Sequence, residues 1–317
     1  MKTPALALAG LVLLAAPASA ERLDPRLVPA TARFLVHIDV EGLKRTELWT
    51  GLLALAAASE EDLLTWMAVL EAETTMDPRR DLQSVTLFGS HPDPEHLVVL
   101  VAGNERLDGL VARLEKEPSH RLLDMEGVSL HQVDADGQSL VGFPEERGEG
   151  RLFLGSYDPG ELLRAVRVLR GRDPSLARAG EAPLPSTPRE GSFLFLSATG
   201  QLPGLDEIGP ESVMLGHAKS IALELGEANG VLDARLSVTV KSEEMARNAS
   251  EVIQGLAALG RLAVGAGEED MKPLADLLDR LRFGRSGDVV TVGLSFETKA
   301  LLGLAQGHVA IKAKRDA

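Results

Sequence analysis

The chain has 317 residues, 44% of them hydrophobic, with 33 basic against 47 acidic side chains, a formal net charge of −14 and no cysteine. That length can bury a sizeable core unaided, and the missing thiols exclude disulfide scaffolds, thiol catalysis and cysteine-ligated metal sites. The carboxylate surplus offers no positive footprint for nucleic acid and repels anionic lipid headgroups.

Residues 1–20 read as a signal peptide. Lys2 supplies the positive start, Ala5 to Ala15 a short apolar run, and Ala18-Ser19-Ala20 the cleavage pattern. The run is too short to span a membrane, which takes roughly twenty apolar residues. The expected product is a soluble chain from Glu21, placed in the periplasm or outside the cell.

Arg33 to Asp39 predicts a strand with Phe34, Val36 and Ile38 on one face, and Asp39 can cap the next segment. Leu43, Leu48, Leu52, Leu53 and Leu55 mark one helix, and Ser59-Glu60-Glu61-Asp62 starts another carrying Leu63, Trp66, Met67 and Leu70. Trp49 and Trp66 are expected to pack in the core or at an interface rather than to form a ligand platform. A charged turn, Asp77 to Asp81, leads into the strand Val85 to Phe88, and Leu97 to Ala102 returns. Asn104 opens a helix with Leu107, Leu110, Val111 and Leu114. Strands at Val128 to Val133 and Ser139 to Phe143 join through Asp136-Gly137, and Arg151 to Tyr157 follows. Asp158-Pro159-Gly160-Glu161 is a strong helix start.

Gly171 to Glu190 is rich in proline and has no hydrophobic period, as a connector does. Beyond it, Ser192 to Ala198 is a strand, and a segment punctuated by Gly and Pro runs from Gly200 to Gly216. Ile221 to Leu225 and Leu232 to Val240 alternate apolar with polar residues around Asn229-Gly230, a hairpin signature. Ser242 caps a helix carrying Met245, Ala249, Val252 and Leu256. Met271 to Leu281 reads as a helix, Val290 to Phe296 as a strand and Lys299 to Gln306 as a closing helix.

Each half reads strand, helical or loop segment, hairpin, helix, late strand, helix, and two such halves could lay their sheets side by side or form separate lobes. The expected fold is α+β: two tandem ferredoxin-like (split βαβ) halves, residues 21–171 and 191–317 around the connector 172–190, with antiparallel sheets and helices on one face. Pro29-Ala30 before a strand ending His37-Ile38-Asp39, with Asp77-Pro78-Arg79-Arg80-Asp81-Leu82 running into Val85-Thr86-Leu87-Phe88-Gly89, resembles a group of secreted bacterial domain-of-unknown-function families, common in planctomycete-like genomes. The resemblance implies export and repeated α+β units, and it carries no activity, cofactor or catalytic residue.

Chemistry-bearing motifs are sparse. His91, Asp93 and His96 in one loop are the densest ligand-type cluster, yet loop residues of these types are usually solvated. Asp77, Arg79, Arg80 and Asp81 form the most unusual polar cluster; the arginines could grip an anion, or pair with the nearby acids. Asp134 to Ser139 resembles a truncated calcium loop and is explained by an Asp-Gly turn. Neither a nucleophile elbow nor a phosphate-cradling glycine loop occurs. The expectation is therefore no cofactor, no metal and no nucleic-acid partner. The function read from the chain is a non-enzymatic envelope or extracellular binding protein, meeting an envelope protein or a small ligand. The alternatives are a hydrolase with dispersed residues, and a carrier whose apolar cavity is walled by the helices at Leu48 to Leu70 and Met271 to Leu281.

Overall fold

Among the described residues every strand pairing is antiparallel, and the strands join one continuous sheet of twelve. The computed structural model describes residues 23–58, 63–91, 93–135, 138–148, 150–180, 184–199, 218–265 and 278–303. The strands are β1 (Phe34–Asp39), β2 (Leu82–Gly89), β3 (Leu97–Gly103), β4 (Arg121–Met125), β5 (Val128–Ala135), β6 (Gln138–Arg147) and β7 (Gly150–Ser156). They continue with β8 (Ser192–Thr199), β9 (Ala218–Ala228), β10 (Val231–Val240), β11 (Leu281–Ser286) and β12 (Val289–Glu297). The helices are α1 (Val40–Lys44), α2 (Glu47–Ala58), α3 (Leu63–Thr74), α4 (Pro78–Asp81), α5 (Asp108–Glu115), α6 (Pro159–Leu169) and α7 (Glu243–Gly265).

The sheet order is β11-β12-β10-β9-β8-β1-β2-β3-β7-β6-β5-β4. This is α+β with a large antiparallel sheet that both halves share, so of the two packings open from the sequence the sheets lie side by side, and the split-βαβ order within each half is not confirmed. In that order an opening strand would lie inside its own half. Here the opening strands pair with each other, Phe34 opposite Ala198 through Ile38 opposite Leu194. The physical reason is burial on both faces. Leu35 and His37 face one side, Phe34 and Ile38 the other, and all four are buried. A strand of that kind is stable only with neighbours on both edges and layers on both faces.

Outward from this seam the two sides follow one pattern. A strand and a hairpin come first (β1, β2, β3 and β8, β9, β10). A helix, α5 or α7, then carries the chain to the sheet's outer edge, and the last strand returns beside the third. β3 and β10 are each interior, and each is followed by a helix on the same face. α5 packs on β5 and β6, and α7 on β10, β11 and β12.

Local chemistry sets most boundaries as the sequence predicts. Asp39 accepts from the Gly42 amide at 2.8 Å and starts α1. Asp158 accepts from the amides of Gly160 and Glu161 and starts α6. Asn229 and Gly230 take φ of 53° and 73° in the β9–β10 turn. The single helix expected from Leu43 to Leu55 is instead two, because Thr46 accepts from the Trp49 amide at 3.0 Å and begins α2 anew. β4 and β11 have no counterpart in the predicted elements, and Leu281, expected to end a helix, opens β11. The start at Ser59 to Asp62, the segment Gly200 to Gly216, Met271 to Leu277, the turn Asp136-Gly137 and the signal segment lie outside the described residues.

The main core lies between the sheet and α6. Leu35, Leu100, Leu130, Leu154, Leu162 and Val166 belong to it, and the connector adds Leu176 and Leu184, 2% and 1% exposed. On the other face Ile38, Val85, Val99 and Val101 meet Met76 and Leu107. Trp49 packs there with Leu43, Met67 and Phe193; the Trp66 side chain lies outside the described residues. At the far end Val238 and Val290 meet Met245, Ala246 and Ala249 of α7.

Candidate ligand-binding site

The polar clusters singled out in the sequence are placed as follows. Asp77 is 3% exposed and caps α4, accepting from the Arg79 amide at 2.9 Å. Its carboxylate also takes Arg79 Nε at 2.9 Å and Arg80 Nε at 2.8 Å. Burial pushes the Asp77 carboxyl up, but the hydrogen bonds from Arg79 outweigh it and leave the group below its ordinary range. Asp81 accepts from the Asp77 amide at 2.7 Å and from Asn104 Nδ2 at 2.9 Å. Both arginines also face Glu71, at 3.7 and 3.3 Å. Both arginines thus pair with nearby acids in the turn, the second of the two roles that the sequence left open to them. The other cluster is a half-exposed loop: His91 Nδ1 lies 2.9 Å from Asp93 Oδ2, and the His91 and His96 rings meet edge to face at 5.7 Å. No group of three or more metal-ligating side chains is assembled among the described residues.

A concave site does form elsewhere, on the face that carries α3 and α5. It is a cavity of about 270 Å³ between these helices and the strands β3, β7, β6 and β5. Leu70 of α3 and Leu110 and Leu114 of α5 form the roof; Val99, Val101, Val133, Leu140 and Phe153 form the floor. Gly155 is part of the floor. Gly142 and Gly155 face each other across β6 and β7. A Cβ at Gly142 would sit 2.7 Å from the Phe153 ring, which lies over these two positions. The roof is held by a backbone contact that only glycine permits: a Cβ at Gly109 of α5 would meet the Thr74 carbonyl of α3 at 1.8 Å. Ion pairs ring the mouth. Arg113 Nε bonds Glu73 at 2.8 Å and its Nη1 bonds Glu117. These bonds raise the guanidinium's already high pKa, Glu73 contributing most and Glu117 next. Tyr157, also in the lining, is held neutral over a wider range because burial raises its phenol.

No protein-family model and no curated protein matches the sequence. Among solved structures, crystal form III of TP0453 aligns over 91% of this chain and 99% of its own, with 9% identity and a TM-score of 0.45. Crystal form I aligns over 92% of this chain and 98% of its own, with 9% identity and a TM-score of 0.41. Crystal form IV covers 90% and 97%, with 10% identity and a TM-score of 0.43. No helix among the described residues is long and apolar enough to cross a membrane.

A histidine pair outside the cavity lining joins β5 to the segment after α5, and the sequence pattern did not single it out. His120 Nε2 and His131 Nδ1 are 3.1 Å apart with stacked rings. With Ser119, whose hydroxyl donates to the Asp134 carbonyl and accepts from its amide at 3.0 Å, they clip the chain after α5 onto β5. Burial, then the charge on His120, hold His131 below the ordinary value of 6.5, against the pull of Glu115. The unfolded chain therefore takes up this proton first. The stabilising contribution is whole above about pH 6.5 and is lost as pH falls through the lower, folded value. The melting temperature is expected to fall between about pH 7 and 5, and His131→Gln to flatten that fall. Differential scanning fluorimetry checks this; equal acid slopes for parent and variant would refute it.

Proposed function

We propose that this protein is a non-enzymatic binding protein of the cell envelope or exterior, and that it holds a small apolar molecule in the cavity under α3 and α5. The observation that carries this reading is the cavity itself: about 270 Å³, walled by aliphatic side chains and Phe153, with its charged groups confined to the mouth. An apolar void of about 150 Å³ accommodates benzene, so this one suits a molecule of roughly two fused rings or a similar branched aliphatic. Within the lining, the Thr74 hydroxyl is already committed, donating to the Leu70 carbonyl at 2.6 Å. The carboxylates Glu73 and Glu117 are paired with Arg113. Such a site encloses a ligand and has no poised nucleophile–base pair among these groups.

This departs from the carrier alternative drawn from sequence in one wall. Leu70 belongs to the first predicted helix pair, but α5 and the sheet form the rest of the enclosure. Export of the chain and descent of the two sheet halves from one repeated α+β unit are parts of the same proposal, supported by the leader pattern and the shared outward strand order.

The test is native mass spectrometry of protein purified from its own host, followed by calorimetric titration with 1-methylnaphthalene. A small-molecule adduct and saturable binding are expected. Gly155→Val should weaken binding by at least roughly tenfold. A Cβ there meets Phe153 at 3.5 Å, an ordinary contact, so the floor fills without strain at that atom. A bare chain that does not bind the hydrocarbon would overturn the reading.

A further inference from the structure

We propose that the ligand of this cavity carries a positive charge on its apolar body, as an aromatic or branched aliphatic amine does, rather than the carboxylate of a fatty or aromatic acid. The inference rests on the preceding reading of the cavity as a ligand site and adds the charge of what enters it.

The mouth carries three carboxylates, Glu73, Glu117 and Asp134, and one guanidinium, Arg113. Their side chains are 50, 36, 44 and 36% exposed, so they stand at the boundary between the apolar interior and solvent. Arg113 is bonded on two sides, by Glu73 at 2.8 Å and by Glu117. An incoming anion could reach it only by displacing one of those carboxylates and then lying beside the other. Asp134 is bonded by Arg121 at 3.1 Å and by the Ser139 hydroxyl. Counting Arg121 with the mouth, three negative charges face two positive ones, so one carboxylate's worth of charge is left over.

A cation meets the opposite situation. Glu73 and Glu117 share a single guanidinium, so an ammonium at the mouth can bond either one while Arg113 keeps the other. The chain's net charge of −14 adds a field that repels anions and draws cations to the surface, to an extent that salt screens.

The experiment holds the apolar body constant and changes only its charge. Wild-type protein is titrated calorimetrically at pH 7 with 1-naphthylmethylamine, 1-methylnaphthalene and 1-naphthoate. The amine is expected to bind at least roughly tenfold more tightly than the naphthoate, with the neutral hydrocarbon between them. Raising the salt concentration should narrow the gap, and Glu117→Gln should narrow it at low salt. If the hydrocarbon binds and the naphthoate matches or exceeds the amine, the charge inference fails and the cavity reading stands. If none of the three binds, both fall.

Discussion

Replacing Asp81 by alanine is expected to lower the unfolding free energy by about 3 kcal/mol, measured by urea denaturation. Asp81 is 4% exposed and sits where α4 ends and β2 begins. Its carboxylate accepts from the Asp77 amide at 2.7 Å and from Asn104 Nδ2 at 2.9 Å, and Arg106 lies 3.9 Å away. Its carbonyl accepts from the Asn104 amide at 3.0 Å, so one residue ties the entry of β2 to the exit of β3. Hydrogen bonds to a charged acceptor contribute more than neutral ones, and the alanine variant also leaves a buried amide without a partner. Asp81→Asn should recover part of the loss, since an amide oxygen can still accept from one of the two donors. A loss for Asp81→Ala below about 1 kcal/mol would show that water or neighbouring groups replace these bonds.

The second large effect has the opposite sign. The double substitution Glu41→Gln with Lys44→Met is expected to stabilise the protein at pH 7 by roughly 1–4 kcal/mol. Lys44 and Glu41 lie 3.9 Å apart with side chains only 4% and 2% exposed. Burial, the largest influence, holds Lys44 down to about 7 from 10.5, although Glu41, Asp77, Asp81 and Asp39 all pull it upward. Desolvation therefore outweighs the attraction of four carboxylates, and the charged lysine costs stability in the folded state. The folded value lies below the unfolded one, so the unfolded chain binds more protons between about 7 and 10.5. Wild-type stability attributable to this group is present above 10.5 and is lost as pH falls through 7. The double variant lacks that slope, so its advantage should shrink as pH is raised toward about 10. Chemical denaturation across that range checks it; an advantage that grows with pH would refute the account.

The polar clusters show where sequence reading and structure part company on chemistry. Asp77, Arg79, Arg80 and Asp81 stood out because opposite charges crowd a short stretch. That proximity is also what lets them satisfy one another within a single turn. His91, Asp93 and His96 are likewise near in sequence and end as a half-exposed loop. The residues of the cavity are far apart along the chain. Glu73 and Arg113 are joined across forty positions, and Gly142 and Gly155 pair only once β6 and β7 are in register. None of them forms a local motif. The nearest thing to a sequence signal was a pair of glycines within otherwise apolar strands, which marks a close approach or a space.

The sequence by itself determined the local elements: the β9–β10 hairpin at Asn229-Gly230, the helix caps at Asp39, Asp158 and Ser242, and the alternating strands. These depend on neighbours within a few residues, where torsional preference and capping hydrogen bonds act. It also determined the α+β class, since alternation at two periods separates strands from helices. Only the tertiary structure decided that the halves share one twelve-stranded sheet, because the β1–β8 pairing joins residues some 160 positions apart. Strand partners are chosen by which apolar faces are covered together, a property of the assembled layers rather than of any one stretch. The cavity belongs to that same level. It lies where α3 and α5, in contact at Gly109, cover Gly155 and the apolar residues of four strands, and no local pattern encodes that coincidence.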